Sequence, residues 1–198
     1  VSVTSGVERP FSGAPIGLGD LYRTPFSGTT PTTPAVGQTV PLSSVTATAL
    51  TTVTATVHCS SVVLPQNQPI RNIVTLVTVA GTVTGFWVAL LDAGLIVRAV
   101  SANTTTPAAG FFSQSVVTGA APFTTGYAGL YYVAVGTVST VAPQLAAQAA
   151  LPSVAAASGP PIYCGTSATA ATTTPPIIGA QLGALTGVAT NEFYAHLL

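Results

Sequence analysis

The chain has 198 residues, enough for one well-cored domain with an appendage and short for two. Charged residues make up 4% of it, where soluble proteins carry about 25%; they are Glu8, Arg9, Asp20, Arg23, Arg71, Asp92, Arg98 and Glu192, with no lysine. A formal net charge of zero supplies no field to gather nucleic acid or an anionic membrane and no repulsion to keep copies apart, which argues against a nucleic-acid partner and for life in an assembly.

Residues 1–42 read as an extended arm. They hold Pro10, Pro15, Pro25, Pro31, Pro34 and Pro41 and repeat one phrase, Pro10-Phe11-Ser12-Gly13 and Pro25-Phe26-Ser27-Gly28. Proline removes backbone donors and glycine loosens the chain, so neither a helix nor a central strand is expected there. Aromatics recurring in such an arm suit anchoring in pockets of another surface, and Phe11, Tyr22 and Phe26 are the candidate anchors. The competing reading is an undocked linker. A chain that begins at Val1 and holds no methionine is expected to have lost its initiator or a longer precursor segment.

From residue 43 to 198 short apolar runs alternate with Gly, Pro, Asn and Thr clusters, the pattern of an all-β domain. Strands are expected over 45–64 (two, or one bent), 72–80, 84–91, 95–101, 111–117, 130–138 and 190–198. About eight strands of this length predict a jelly-roll β-sandwich. Asp92-Ala93-Gly94 is expected to close a tight hairpin with positive φ at Gly94, Asp92 capping it through a backbone hydrogen bond. The alanine-rich stretch 142–158 is expected to hold a helical turn or two before Pro152, and 159–186, with two Pro-Pro pairs, to form a loop that wraps the sandwich.

The stretch 84–102, TGFWVALLDAGLIVRAVSA, has no wet face: Phe86, Val88 and Leu90 point one way while Trp87, Ala89 and Leu91 point the other. Cover for the second face is expected from neighbouring subunits. Tyr131-Tyr132 and Phe193-Tyr194 raise the same issue, since each pair sends one ring to either side. Phe86, Arg98, Tyr131, Tyr132 and Tyr194 are accordingly the candidates for facing an interface or a glycan. The uncharged window 73–91 is hydrophobic enough for a membrane span, but its glycines and β-branched residues favour strands.

No catalytic constellation is legible. His58 and Cys59 are adjacent, and neighbours on a strand point to opposite faces. A dyad between His196 and Cys59 or Cys164 carries no motif, and the four carboxylates have no spacing that marks acid–base work or metal binding. Cys59 and Cys164 form either one disulfide or two buried thiols. No cofactor, metal or enzymatic activity is expected.

The order of phrases carries a resemblance. Val74 to Thr82 (VTLVTVAGT), Phe86 to Asp92 (FWVALLD) with Gly94, Gly129 to Val135 (GLYYVAV) and Asn191 to Ala195 (NEFYA) resemble jelly-roll modules in virion proteins of tailed phages, especially minor tail and particle-surface proteins of phages infecting actinobacteria. The likeness spans roughly residues 70–198, and the hairpin loop is shorter than the family's common form. The resemblance implies a non-enzymatic virion surface protein, as capsid decoration or minor tail protein, docked through its arm onto other virion proteins and self-associating as a homo-oligomer. Its competitors are a glycan-binding tail adhesin contacting the host cell wall and a secreted actinobacterial surface protein.

Overall fold

The computed structural model describes residues 35–118, 121–149, 164–187 and 191–198. Most of the arm, with Phe11, Tyr22 and Phe26, lies outside the described residues. The described residues form fifteen strands: β1 (Gly37–Gln38), β2 (Thr46–Thr51), β3 (Thr56–Leu64), β4 (Pro69–Ile70), β5 (Asn72–Val79), β6 (Thr82–Asp92), β7 (Val97–Val100), β8 (Gly110–Ser115), β9 (Phe123–Thr124), β10 (Gly129–Val141), β11 (Gln144–Ala149), β12 (Cys164–Ala170), β13 (Leu185–Gly187), β14 (Asn191–Phe193) and β15 (Ala195–Leu197).

They build a two-sheet antiparallel sandwich. One sheet contains the run β2-β11-β5-β8 and the other the run β3-β10-β6-β7. Consecutive strands mostly change sheets: β2 to β3, β5 to β6, β7 to β8 and β10 to β11 each cross the core. This interleaving closes an antiparallel β-sandwich whose two sheets are built from alternating stretches of the chain. The remaining strands extend it. β12 and β13 continue the second sheet beyond β3, and β14, β15 and β1 fill the first, with β15 paired to β5 over Ile73, Val74 and Thr75. β4 and β9 make a separate two-stranded ribbon.

Alternation along each strand sorts the side chains into three apolar clusters. Phe86, Val88, Leu90, Tyr131, Val133, Val135 and Phe193 fill the space between the sheets. Trp87, Ala89, Leu91, Val57, Cys59, Tyr132 and Ala134 lie on the outer face of the second sheet, packed with Ala171 and Leu182. Tyr194 lies on the outer face of the first, packed with Val40 and Leu42.

The cover for the second face of β6 is therefore this chain, not a neighbour. Residues 171–184 form a strap across the second sheet. It leaves β12 with the Ala171 amide donating to the Ala55 carbonyl, then receives the Trp87 indole N–H on the Thr172 carbonyl at 2.9 Å. At the far edge it pairs with β7, where the Val97 amide donates to Ala180 and that of Gly179 to Val97, before Leu182 reaches Leu95. Close approach is possible because Gly136, opposite Trp87 in register, has no side chain: a Cβ there would lie 2.1 Å from the indole.

A second, shorter strap covers the first sheet. Residues 36–45 run along β15, with the amides of Val36 and Thr39 donating to Leu197 and Ala195. The Thr39 hydroxyl bonds the Phe193 carbonyl at 2.7 Å. The last part of the expected arm thus belongs to the sandwich.

Three local expectations are corrected. Residues 144–149 form β11, not a helical turn; pairing with β2, β5 and β14 outweighs the helix propensity of alanine, whose small side chain fits at the fully buried Ala147. The expected loop 159–186 contributes β12 and β13 at its described ends and wraps only between them. In the β6–β7 hairpin positive φ falls on Leu95, at 61°, and not on Gly94.

Candidate functional site

The residues with chemical potential lie apart. At the β6–β7 hairpin the Asp92 carboxylate is buried and fully used: Oδ1 accepts the amides of Gly94 and Ile96 at 2.9 and 3.0 Å, and Oδ2 accepts Arg98 Nε at 2.8 Å and the guanidinium Nη2. This is the capping role expected of Asp92, with Arg98 clamping the carboxylate. The Arg98 side chain keeps 44% of its surface exposed, and of the interface or glycan-facing candidates it is the one that meets solvent.

The other candidates do not. Phe86 and Tyr131 face the inter-sheet core, Tyr132 lies beneath the long strap and Tyr194 beneath the short one, and none exposes more than 4%. The pairs do split between faces, but both faces are closed by the chain itself. A sugar-stacking platform built on these rings is thereby removed. Among the described residues Tyr127 is the exposed aromatic, stacked on Tyr131 at 4.6 Å and tied to the hairpin by the Ala93 amide, which donates to its hydroxyl.

The two histidines occupy different sheets. His58 points to the inter-sheet side of β3, its Nε2 accepting the Val53 amide at 3.2 Å, and burial lowers its pKa to about 4. His196 lies on the outer face of the first sheet, its Nδ1 3.0 Å from the Tyr194 hydroxyl, and burial likewise lowers it to about 4. Both rings are neutral at pH 7. Burial also raises the Tyr194 hydroxyl and lifts the Glu192 carboxyl to about 7.

The thiols are no better placed for chemistry. Cys59 faces the outer cluster of the second sheet, and burial pushes it up to about 12, far from a reactive thiolate. Cys164 is opposite Ser60 in register, so its side chain points to the other face of the sheet from Cys59, which is opposite Gly165. The alternative of a Cys59–Cys164 disulfide is corrected by that one-residue offset; no disulfide joins them. Burial, and secondarily the Glu192 charge, raise the Cys164 thiol as well. His58 and Cys59 diverge as expected, and His196 lies on the far side of the molecule from Cys59. The described residues bring no nucleophile, base and orienting group together.

Among the described residues no group of three or more His, Cys, Asp or Glu is arranged to hold a metal ion, and no helix is long and apolar enough to cross a membrane. The hydrophobic window 73–91 is divided between β5 and β6 in opposite sheets. Sequence reasoning expected residues 159–186 to wrap the sandwich but assigned the cover of the second face of β6 to neighbouring subunits, and it placed the shorter strap within the arm.

No protein-family model matches this chain, and no curated protein matches it. The fold and the placement of its polar groups define a class: a β-sandwich that caps both of its own outer faces and holds its imidazoles and the Cys59 thiol inside.

Proposed function

We propose that this chain is a structural, non-enzymatic surface protein of a tailed-phage virion, a capsid decoration or minor tail module tethered by its N-terminal arm. The observation that carries the reading is the scarcity of free charge. Of the four charged residues among those described, Asp92 and Arg98 neutralise each other, burial raises the Glu192 carboxyl to about 7 so that it is only partly ionised at neutral pH, and Arg71 is the exposed charge outside an ion pair. Such a body has little self-repulsion and suits permanent packing in a particle. The phrases that resemble phage jelly-roll modules supply the kind of particle, and they fall in β5, the β6–β7 hairpin, β10 and β14–β15.

Because the chain covers the outer face of β6 itself, contacts with other virion proteins or with further copies would run through the arm and the strand edges. The arm anchors Phe11, Tyr22 and Phe26 would hold the module down by apolar insertion. Particles assembled without this chain test the reading: they should lose resistance to heat or pressure while still adsorbing to host cells. Unchanged particle stability would overturn it, and unchanged stability with lost adsorption would point to the host-binding adhesin.

A further inference from the structure

The short strap rests on a buried group that the proposed function does not use. His196 exposes 3% of its surface and lies directly opposite Gln38 of β1 in register. The Tyr194 hydroxyl engages Nδ1, while Nε2 and the Gln38 Oε1 atom are both buried without a hydrogen-bond partner. Phe111 of β8 stands edge-on to the ring at 6.0 Å, and Val74 of β5 is the opposite neighbour in register. Tyr194 is the titratable group that faces the ring; Gln38, Val74 and Phe111 carry no charge. A neutral imidazole is tolerated in that setting. An imidazolium adds a second N–H donor and a full charge where no carboxylate among the described residues answers it, and must reach water to be stable.

The cheapest route to water is set by the topology. β5 is paired along both edges, and β14 is paired to β11. β1, by contrast, has two residues at the sheet edge, and residues 36–45 are held by the Val36 and Thr39 amides, the Thr39 hydroxyl, the Ser44–Gln148 contact and the apolar seats of Val40 and Leu42. Lifting that segment uncovers His196 and leaves the other pairings intact.

We propose that residues 36–45 form an acid-released latch, opened from the first sheet when His196 beneath them takes up a proton, while the two-sheet core stays folded. Opening would lengthen the tether of residues 1–34 by up to about 33 Å, ten residues at full extension. A histidine that is freely titrating when open, at 6.5, and held at about 4 when closed takes up a proton on opening between those values. The opening constant therefore rises about 30-fold between pH 7.5 and pH 5.0.

Amide hydrogen exchange on the full chain, corrected for intrinsic rates, tests this. Protection of the Val36 and Thr39 amides should fall about 30-fold over that interval while remaining below that of the β10 amides, the mark of a local opening. His196→Asn, with His196→Phe as a second variant should the first misfold, should abolish the fall, and His58→Asn should leave it. A common protection for strap and β10 amides at pH 5.0, or a fall that survives both His196 substitutions, would overturn the latch.

Discussion

Gly136→Ala should be among the most damaging small substitutions in the chain. The new methyl would lie 2.1 and 2.2 Å from two indole carbons of Trp87, inside any tolerable contact, and the backbone cannot retreat because Gly136 is paired with Val57 on one side and Trp87 on the other. The indole must swing out. It then loses its seat under the strap, where removal of a buried Trp costs about 3–5 kcal/mol, and its bond to the Thr172 carbonyl, worth about 1 kcal/mol net. Partial relaxation lowers the sum, and we expect a loss of about 3 kcal/mol. Trp87 is the only tryptophan, so its fluorescence reports the event directly. Urea unfolding followed by circular dichroism should give a lower midpoint for Gly136→Ala, and its native emission should shift to the red. With the ring gone the methyl has room, so Gly136→Ala combined with Trp87→Ala should be no less stable than Trp87→Ala alone. A Gly136→Ala protein within about 0.5 kcal/mol of the parent, with unshifted emission, would refute the reasoning.

Other outcomes follow from the same packing. Leu182→Ala should cost about 2–4 kcal/mol because the strap loses its buried anchor, whereas Ile177→Ser, on the same strap at 76% exposure, should stay within about 0.5 kcal/mol in chemical denaturation. Asp92→Ala should cost about 2–3 kcal/mol, since two amides and a guanidinium lose their acceptor, and Arg98→Ala, with its half-exposed side chain, clearly less. His58 and His196 bind protons more tightly unfolded than folded, so their contribution is complete above about pH 6.5 and drains away as pH falls toward 4. Glu192, raised from 4.5 to about 7, works in the opposite sense: its folded form keeps a proton that the unfolded chain releases, and stability declines as pH rises through that interval. With two histidines set against one carboxyl, the melting temperature should rise from pH 4 to about pH 7 and then level off, and Glu192→Gln should steepen the rise by removing the opposing group. A melting temperature that is level from pH 4 to 8 would contradict both assignments.

Much of the sandwich was legible because its central strands obey simple alternation. The expected spans at 72–80, 84–91, 111–117 and 130–138 correspond to β5, β6, β8 and β10, where β-branched and aromatic residues concentrate. Two-sided apolarity at Trp87 and Tyr132 correctly signalled a second covered face. What sequence could not reveal was that the strap of residues 171–184 is the cover, because it has no periodicity and its fit depends on Gly136 and Gly85 opening space on strands roughly 35 to 90 residues away in the chain. For the same reason Phe86, Tyr131, Tyr132 and Tyr194 were candidates for an outward role: a ring's direction follows from register, but its exposure depends on distant chain. β11 escaped for a different reason, since Gln144–Ala149 is helix-favouring locally and becomes a strand only through its three partners. The buried pairing of His196 with Gln38 needed the register of β1 on β15, which no local signal encodes.

The claim on which the functional account depends is that this ion-poor, self-capped sandwich is a component of a virus particle. Quantitative peptide mass spectrometry of phage particles purified from lysates that contain the chain addresses it most directly. The account predicts many copies per particle that stay bound through density-gradient purification and high salt; a chain found in infected-cell lysate but absent from the purified particles would contradict it.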